Sequence, residues 1–219
     1  MVVDIETSGL KPFSIEILHA AFIACDNDLN VIERRMFKIR PRIWDASASQ
    51  AVAIHGIERD VAYTYPPYND VMKEMFEWLT GFGRDNILAM HVNQTSGTSY
   101  DGATLRSHAL YNDYYFEFGQ AFPESKYVST HTMAKQVGIN GGLSLDELCK
   151  YFSITDLKHH DAESDCNATY NIIKQFKERY SLDVFTFLQN KQEVKNAPTN
   201  RIGKKTTKGT VQTRGQLIY

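Results

Sequence analysis

The 219 residues predict an α/β domain built on a mixed β-sheet, and three observations carry that reading. Three apolar or β-branched runs open the chain, and two of them flank Asp26-Asn27-Asp28, a turn signal that makes them a hairpin. Behind them, segments with helical spacing of apolar residues alternate with a short buried run, the pattern of helices covering a partly parallel sheet. Apolar residues make up 42% and charged residues 23%, which excludes a disordered chain, and this length is ample for a large core.

Taken in order, residues 2–5 are a β-branched run that starts a first strand, and residues 14–25 and 31–39 are the arms of the hairpin. A short helix is expected over 47–54. Val71, Met72, Met75, Phe76 and Leu79 recur at helical spacing over 69–79. Residues 87–90 read as a buried strand and 92–99 as a polar loop. Helical patterns follow over 102–116 and 130–137. Ser144-Leu145-Asp146-Glu147 has capping-box spacing at the head of a helix over 144–152. The last long helix spans 161–180.

The net charge of −2 averages two unlike parts. Residues 191–219 hold seven basic residues, from Lys191 to Arg214, against Glu193 alone, a net +6 that leaves −8 on residues 1–190. Thr, Gly, Lys and Asn dominate 196–215, so residues 1–190 are expected to be the folded domain and 191–219 a flexible basic tail. Such a tail suits phosphate contacts, and it equally suits plain solubilisation. No run approaches the roughly 20 apolar residues of a membrane span, and MVVDIETSGL lacks a basic signal opening, so no membrane partner is expected. Cys25, Cys149 and Cys166 are odd in number, without CxxC or Cys/His zinc spacing. They imply a reducing, cytoplasmic setting, in which the sequons at Asn93 and Asn167 mean little.

Three groups of acids could carry chemistry. Asp4 and Glu6 stand at positions i and i+2 of the first strand, so both face one way and could converge on a cation. Alone, they fit a solvated strand end better. Thr7-Ser8-Gly9 then turns the chain. Asp165 shares an inward helical face with Ala168, Thr169, Ile172, Ile173 and Phe176, where a carboxylate needs a partner. Asp161 and Glu163 suit the positive end of the helix dipole, a role that does not account for Asp165. Asp101, after Tyr100, precedes the middle helix and taken singly fits an N-cap.

Together, Asp-x-Glu-Thr-x-Gly from Asp4 to Gly9, the Tyr100-Asp101 pair, and His-x-Ala-x-x-Asp from His160 to Asp165 resemble the DEDDh (DnaQ-like) 3′→5′ exonuclease family. That group includes the proofreading epsilon subunit of bacterial DNA polymerase III, ribonuclease T and oligoribonuclease. The resemblance covers about residues 2–180 and extends to Ala53-Ile54-His55-Gly56-Ile57 and to the Ser144–Cys149 segment. One departure stands out. Relatives place a His-Asn pair shortly before the middle Asp, whereas His91 and Asn93 precede Asp101 across a longer segment, so 92–99 reads as an insertion beside the cleft. Asp85 and Asp113 lack the aromatic neighbour that marks Asp101.

The resemblance implies a ribonuclease-H-like fold with a central mixed five-stranded sheet flanked by helices. It implies that Asp4, Glu6, Asp101 and Asp165 hold two divalent cations, Mg²⁺ or Mn²⁺, for which oxygen ligands are suited. His160 would be the general base, since an imidazole titrates near neutrality; the spacing selects it over His159. Thr7, Gly9 and Leu10 would meet the terminal nucleotide, with Leu10 either a wedge against the base or ordinary turn packing. His55 would approach the 3′ end or serve as a satisfied structural histidine, while His19, His108 and His131 read as structural or surface residues. The implied substrates are single-stranded or frayed 3′ ends of DNA, cut to nucleoside 5′-monophosphates. An exoribonuclease of the ribonuclease T or oligoribonuclease type is the alternative, and a non-catalytic nucleic-acid-binding module is disfavoured by the intact motifs. A polymerase or replication-complex partner is compatible with the tail as tether, and Gln216-Leu217-Ile218-Tyr219 faintly resembles a sliding-clamp peptide.

Overall fold

The structure, a computed structural model, describes residues 1–10, 15–44, 48–92, 100–155 and 160–196, the last five by backbone alone. β1 (Val2–Thr7), β2 (Ile17–Cys25) and β3 (Val31–Lys38) form an antiparallel meander. Asp26 closes its second turn by accepting the N–H groups of Asp28 and Asn30 at 2.9 and 2.8 Å, the side-chain turn that the Asp-Asn-Asp signal implies. β1 also pairs in parallel with β4 (Leu88–Met90), and β4 with β5 (Tyr127–Ser129), giving the order β3-β2-β1-β4-β5. This is the expected mixed five-stranded sheet.

Alternation along the strands sorts the side chains into two cores. Val3 and Ile5 join Phe22, Phe37, Met72, Phe76 and Leu105 under α3 (Tyr68–Gly81), α4 (Tyr100–Tyr111) and α5 (Tyr115–Ala121). Val2, Ala21 and Ile23 face the other way. They pack against α6 (Thr130–Gln136), α7 (Leu145–Phe152), α8 (Ala162–Tyr180) and α9 (Val184–Asn196). α8 lies over β1 and β2, and Ala21 of β2 with Ala162 and Ala168 of α8 keeps that interface thin. A smaller apolar cluster of Leu18, Ile57, Ala62, Tyr65 and Trp44 roots α1 (Ala48–His55) and α2 (Arg59–Ala62) beside the hairpin.

The Ser144–Glu147 capping box forms in both directions at the head of α7, as its spacing predicts. The helix expected over 102–116 is instead two helices. Asp113 adopts φ 63°, a left-handed conformation that Asp tolerates better than most residues, and α4 ends before it. α9 continues to Asn196, past the position near Asn190 where the sequence placed the start of the tail. Residues 93–99, His159 and 197–219 lie outside the described residues, and with them most of the expected insertion and tail. Among the described residues no helix is long and apolar enough to cross a membrane.

Candidate active site

Because β1 alternates, Asp4 and Glu6 point to the sheet face that α8 covers. Asp161 caps α8, its Oδ2 accepting the Ser164 N–H at 3.2 Å, and this fixes the first turn from which Asp165 projects inward. One carboxylate oxygen from each of Asp4, Glu6 and Asp165 lies within 4.8 Å of the others. Asp101 reaches the same place from α4. It sits inside that helix's first turn, not at the N-cap, and only 7% of it is exposed.

The electrostatics of this cluster are unfavourable in its bare state. Burial, then the charges of Asp101, Glu6 and Asp165, push Asp4 well above the usual carboxylate range. Burial, then Asp165 and Asp101, raises Glu6 to about 8, and burial raises Asp101 to about 7. Among the described residues, every charge acting on Asp4 and Glu6 is another carboxylate. Buried like charges without a cation are costly, and a hard divalent ion with oxygen ligands is the partner that this donor set fits.

His160 joins the cluster through its backbone, whose N–H donates to Asp165 Oδ2 at 3.2 Å. It is exposed and has φ 58°, a strained conformation for a non-glycine residue of the kind that clusters at functional sites. The turn after β1 is held from two sides. Thr7 Oγ1 donates to the Gly9 carbonyl at 2.8 Å, and the Tyr100 hydroxyl reaches that carbonyl at 2.8 Å and Thr7 Oγ1 at 2.9 Å. On the other side, Ile57 N–H donates to His55 Nδ1 at 2.9 Å, so Nε2 carries the proton and donates to the Thr7 carbonyl at 3.0 Å. Both nitrogens of His55 are therefore engaged by backbone, and burial holds its pKa below the ordinary imidazole value. Leu10, at the tip of this turn, is 52% exposed.

The other histidines among the described residues make structural contacts. His19 bonds the Tyr65 hydroxyl at 2.9 Å, and His108 bridges the Tyr68 hydroxyl and the Ile15 carbonyl. His131 meets the Leu143 carbonyl, and His91 meets Thr130 Oγ1 at 2.8 Å. Asp85 and Asp113 are exposed, and Asp85 faces Lys126 at 3.6 Å. Two contributions escaped the sequence reading. Tyr100 was noted only as an aromatic flank, yet its hydroxyl ties α4 to the turn that follows Glu6. Asp161 adds to the repulsion on Asp4 and Glu6 besides capping α8.

Fold and site together define a class: an α/β domain that gathers four acids, from one strand and two helices, at a place that could hold a cation. The RNase T exonuclease family matches residues 1–173, and the chain belongs to that family. The DEDDh resemblance and the ribonuclease-H-like fold are thus borne out. A comparison with curated proteins finds no match. Among solved structures, the zinc-bound Escherichia coli exonuclease I complex with single-stranded DNA superposes with a TM-score of 0.72 at 22% identity. That match covers 89% of this chain and 44% of the other. Exonuclease I from Methylocaldum szegediense gives 0.70 at 21%, again over 89% and 44%. Exonuclease X in complex with 5′-overhanging duplex DNA gives 0.60 at 18%, over 86% of this chain and 96% of that one. The chain thus spans less than half the length of the exonuclease I structures.

Proposed function

We propose that the chain is a metal-dependent 3′→5′ exonuclease that trims single-stranded or frayed DNA ends to nucleoside 5′-monophosphates. The observation that carries this reading is the convergence of Asp4, Glu6 and Asp165 within 4.8 Å, with Asp101 buried beside them and, among the described residues, no basic group in the charges acting on Asp4 and Glu6. Asp4, Glu6, Asp101 and Asp165 would hold two divalent cations, Mg²⁺ or Mn²⁺. When bound, such ions supply charge stabilisation for the attacking and leaving oxygens at phosphorus.

The protein's own groups do the rest. His160, exposed at the mouth of the cluster, takes the proton of the attacking water. Its backbone bond to Asp165 keeps it beside the acids whether or not its ring is engaged. The Thr7–Leu10 turn, pinned by Tyr100 and His55, receives the terminal nucleotide, and Leu10 offers an apolar edge to its base. His55 acts as a positioning residue, since its ring nitrogens are already committed. The single-stranded DNA in the exonuclease I complex supports DNA over RNA as the substrate.

The test is digestion of matched 5′-labelled and 3′-labelled DNA and RNA strands with Mg²⁺ or Mn²⁺. A descending ladder from the 5′-labelled DNA, early release of mononucleotide from the 3′-labelled strand, and loss of both in Asp4→Ala and His160→Ala are expected. Variants as fast as wild type would refute the site, and degradation of RNA alone would move the substrate to the ribonuclease T type.

A further inference from the structure

Next to the catalytic end of the sheet lies a surface that the reaction itself does not use. Trp44 and Tyr63 stand with ring centroids 6.5 Å apart and planes tilted by 50°. Trp44 is rooted by one side in the Leu18, Ile57, Ala62 and Tyr65 cluster and is only half-buried, and Tyr63 is exposed. Its neighbour Ile43 is 68% exposed. Residues 38–44 carry Lys38, Arg40 and Arg42, with Asp45 the next acid in sequence, on a body that is otherwise acidic. Arg42 is committed to Glu16 at 3.1 Å. The other cations of this surface lie on rings and carbonyls. Lys38 Nζ is 5.8 Å from the Tyr65 ring centroid, and the Arg59 guanidinium is 5.5 Å from that of Tyr63 although Glu58 and Asp60 flank it. Arg40 donates through Nε to the Tyr65 carbonyl at 2.9 Å.

The packing beneath this surface is bonded to the site. Ile57 belongs to its root and donates to His55, which holds Thr7. Tyr65 belongs to the same root and bonds His19, the residue opposite Glu6 in the β1–β2 register. Partly exposed rings, edged by cations that no carboxylate among the described residues pairs with, match the alternation of base and phosphate along a single strand. We propose that Trp44 and Tyr63, with Arg59, Arg40 and Lys38, form a track for the part of a single nucleic-acid strand upstream of its 3′-terminal nucleotide. The proposal rests on the exonuclease reading, and it assigns this chain a length-dependent grip on the substrate separate from the grip on the terminal residue.

The test uses the full chain, wild type and the variants Trp44→Ala, Trp44→Phe, Tyr63→Ala and Arg59→Ala, with thymidine oligomers of increasing length from the dinucleotide upward. Turnover is followed in Mg²⁺, and binding of a fluorescein-labelled long oligomer by anisotropy in EDTA. For Trp44→Ala and Tyr63→Ala, KM and the anisotropy Kd for long oligomers should rise about tenfold. Dinucleotide KM and kcat should stay at wild-type values, and Trp44→Phe should retain most of the affinity. Arg59→Ala should make the log–log salt dependence of Kd shallower by about one.

Equal losses at every length would reveal a merely structural role and overturn the proposal, as would wild-type binding in all variants. A change confined to the oligomeric state on size exclusion would make the face a contact between copies instead. If the wild type turned over no oligomer at all, the exonuclease reading would fail, and the anisotropy series would still decide the track.

Discussion

Two buried acidic places within one domain make opposite use of their carboxylates. Glu16 is nearly inaccessible, but Arg42 meets it at 3.1 Å and stacks over Tyr68 at 3.9 Å from the ring centroid. Its charge is neutralised inside the fold. Asp4, Glu6, Asp101 and Asp165 are gathered by β1, α4 and α8, and among the described residues the charges bearing on Asp4 and Glu6 are all negative. The first arrangement offsets its charge within the fold; the second leaves its charges to repel, and on the proposed reading a bound cation would offset them.

The largest effect should come from neutralising the second place. Asp4→Asn should slow strand degradation by about a thousandfold or more, the scale of the charge stabilisation that bound metal supplies. The same change should raise the melting temperature of the metal-free protein, because an amide carries no cost of keeping a carboxyl uncharged among other acids. Both follow from one purified variant, by a gel assay and a thermal melt. A lower metal-free melting temperature would mean that the cluster is already compensated.

Next in size is a pH effect. Glu6 ordinarily titrates near 4.5 and in the fold is raised to about 8, so between those values the native state binds more protons than the unfolded chain. Metal-free stability should therefore fall as the pH rises through that window, with Asp101, raised to about 7, adding to the slope. Divalent cations compete with those protons, so the rise in melting temperature on adding Mn²⁺ should be larger at pH 8 than at pH 6. A metal-induced shift independent of pH would remove the raised carboxyl groups from the account.

The smallest effect belongs to the neutralised acid. Glu16→Gln should cost about 1–2 kcal/mol in a denaturant titration, a modest figure because the Arg42 side chain is 43% exposed and screened by water. Mn²⁺ should then stabilise the variant as much as it stabilises the wild type.

Much of this contrast was legible in the residues. Asp4 and Glu6 share a strand face by periodicity alone, and Asp165 interrupts an inward helical stripe with a charge. Three spaced motifs were enough to identify the family and the sheet. The remainder depended on contacts that no local pattern encodes. The bond between Tyr100 and Thr7 spans 93 positions, and Asp101 passes for an N-cap until α4 is seen to begin at Tyr100. β5 has three residues and α2 has four, too few to show a period. α4 and α5 merge into one helical pattern because the left-handed turn at Asp113 leaves no glycine or proline as a signal. α9 extends beyond Asn190 because Val184, Phe187 and Leu188 find the core on one side, whereas the basic composition that follows reads as tail.

The central claim is that these acids exist to hold catalytic divalent metal, and metal counting tests it most directly. Mn²⁺ binding to the wild type, Asp4→Asn and Glu16→Gln should be followed by calorimetry at pH 8, with exonuclease activity measured on the same samples. The account predicts up to two Mn²⁺ per chain for wild type and Glu16→Gln, and loss of both binding and activity in Asp4→Asn. Equal Mn²⁺ binding by wild type and Asp4→Asn, or activity that survives without bound metal, would contradict it.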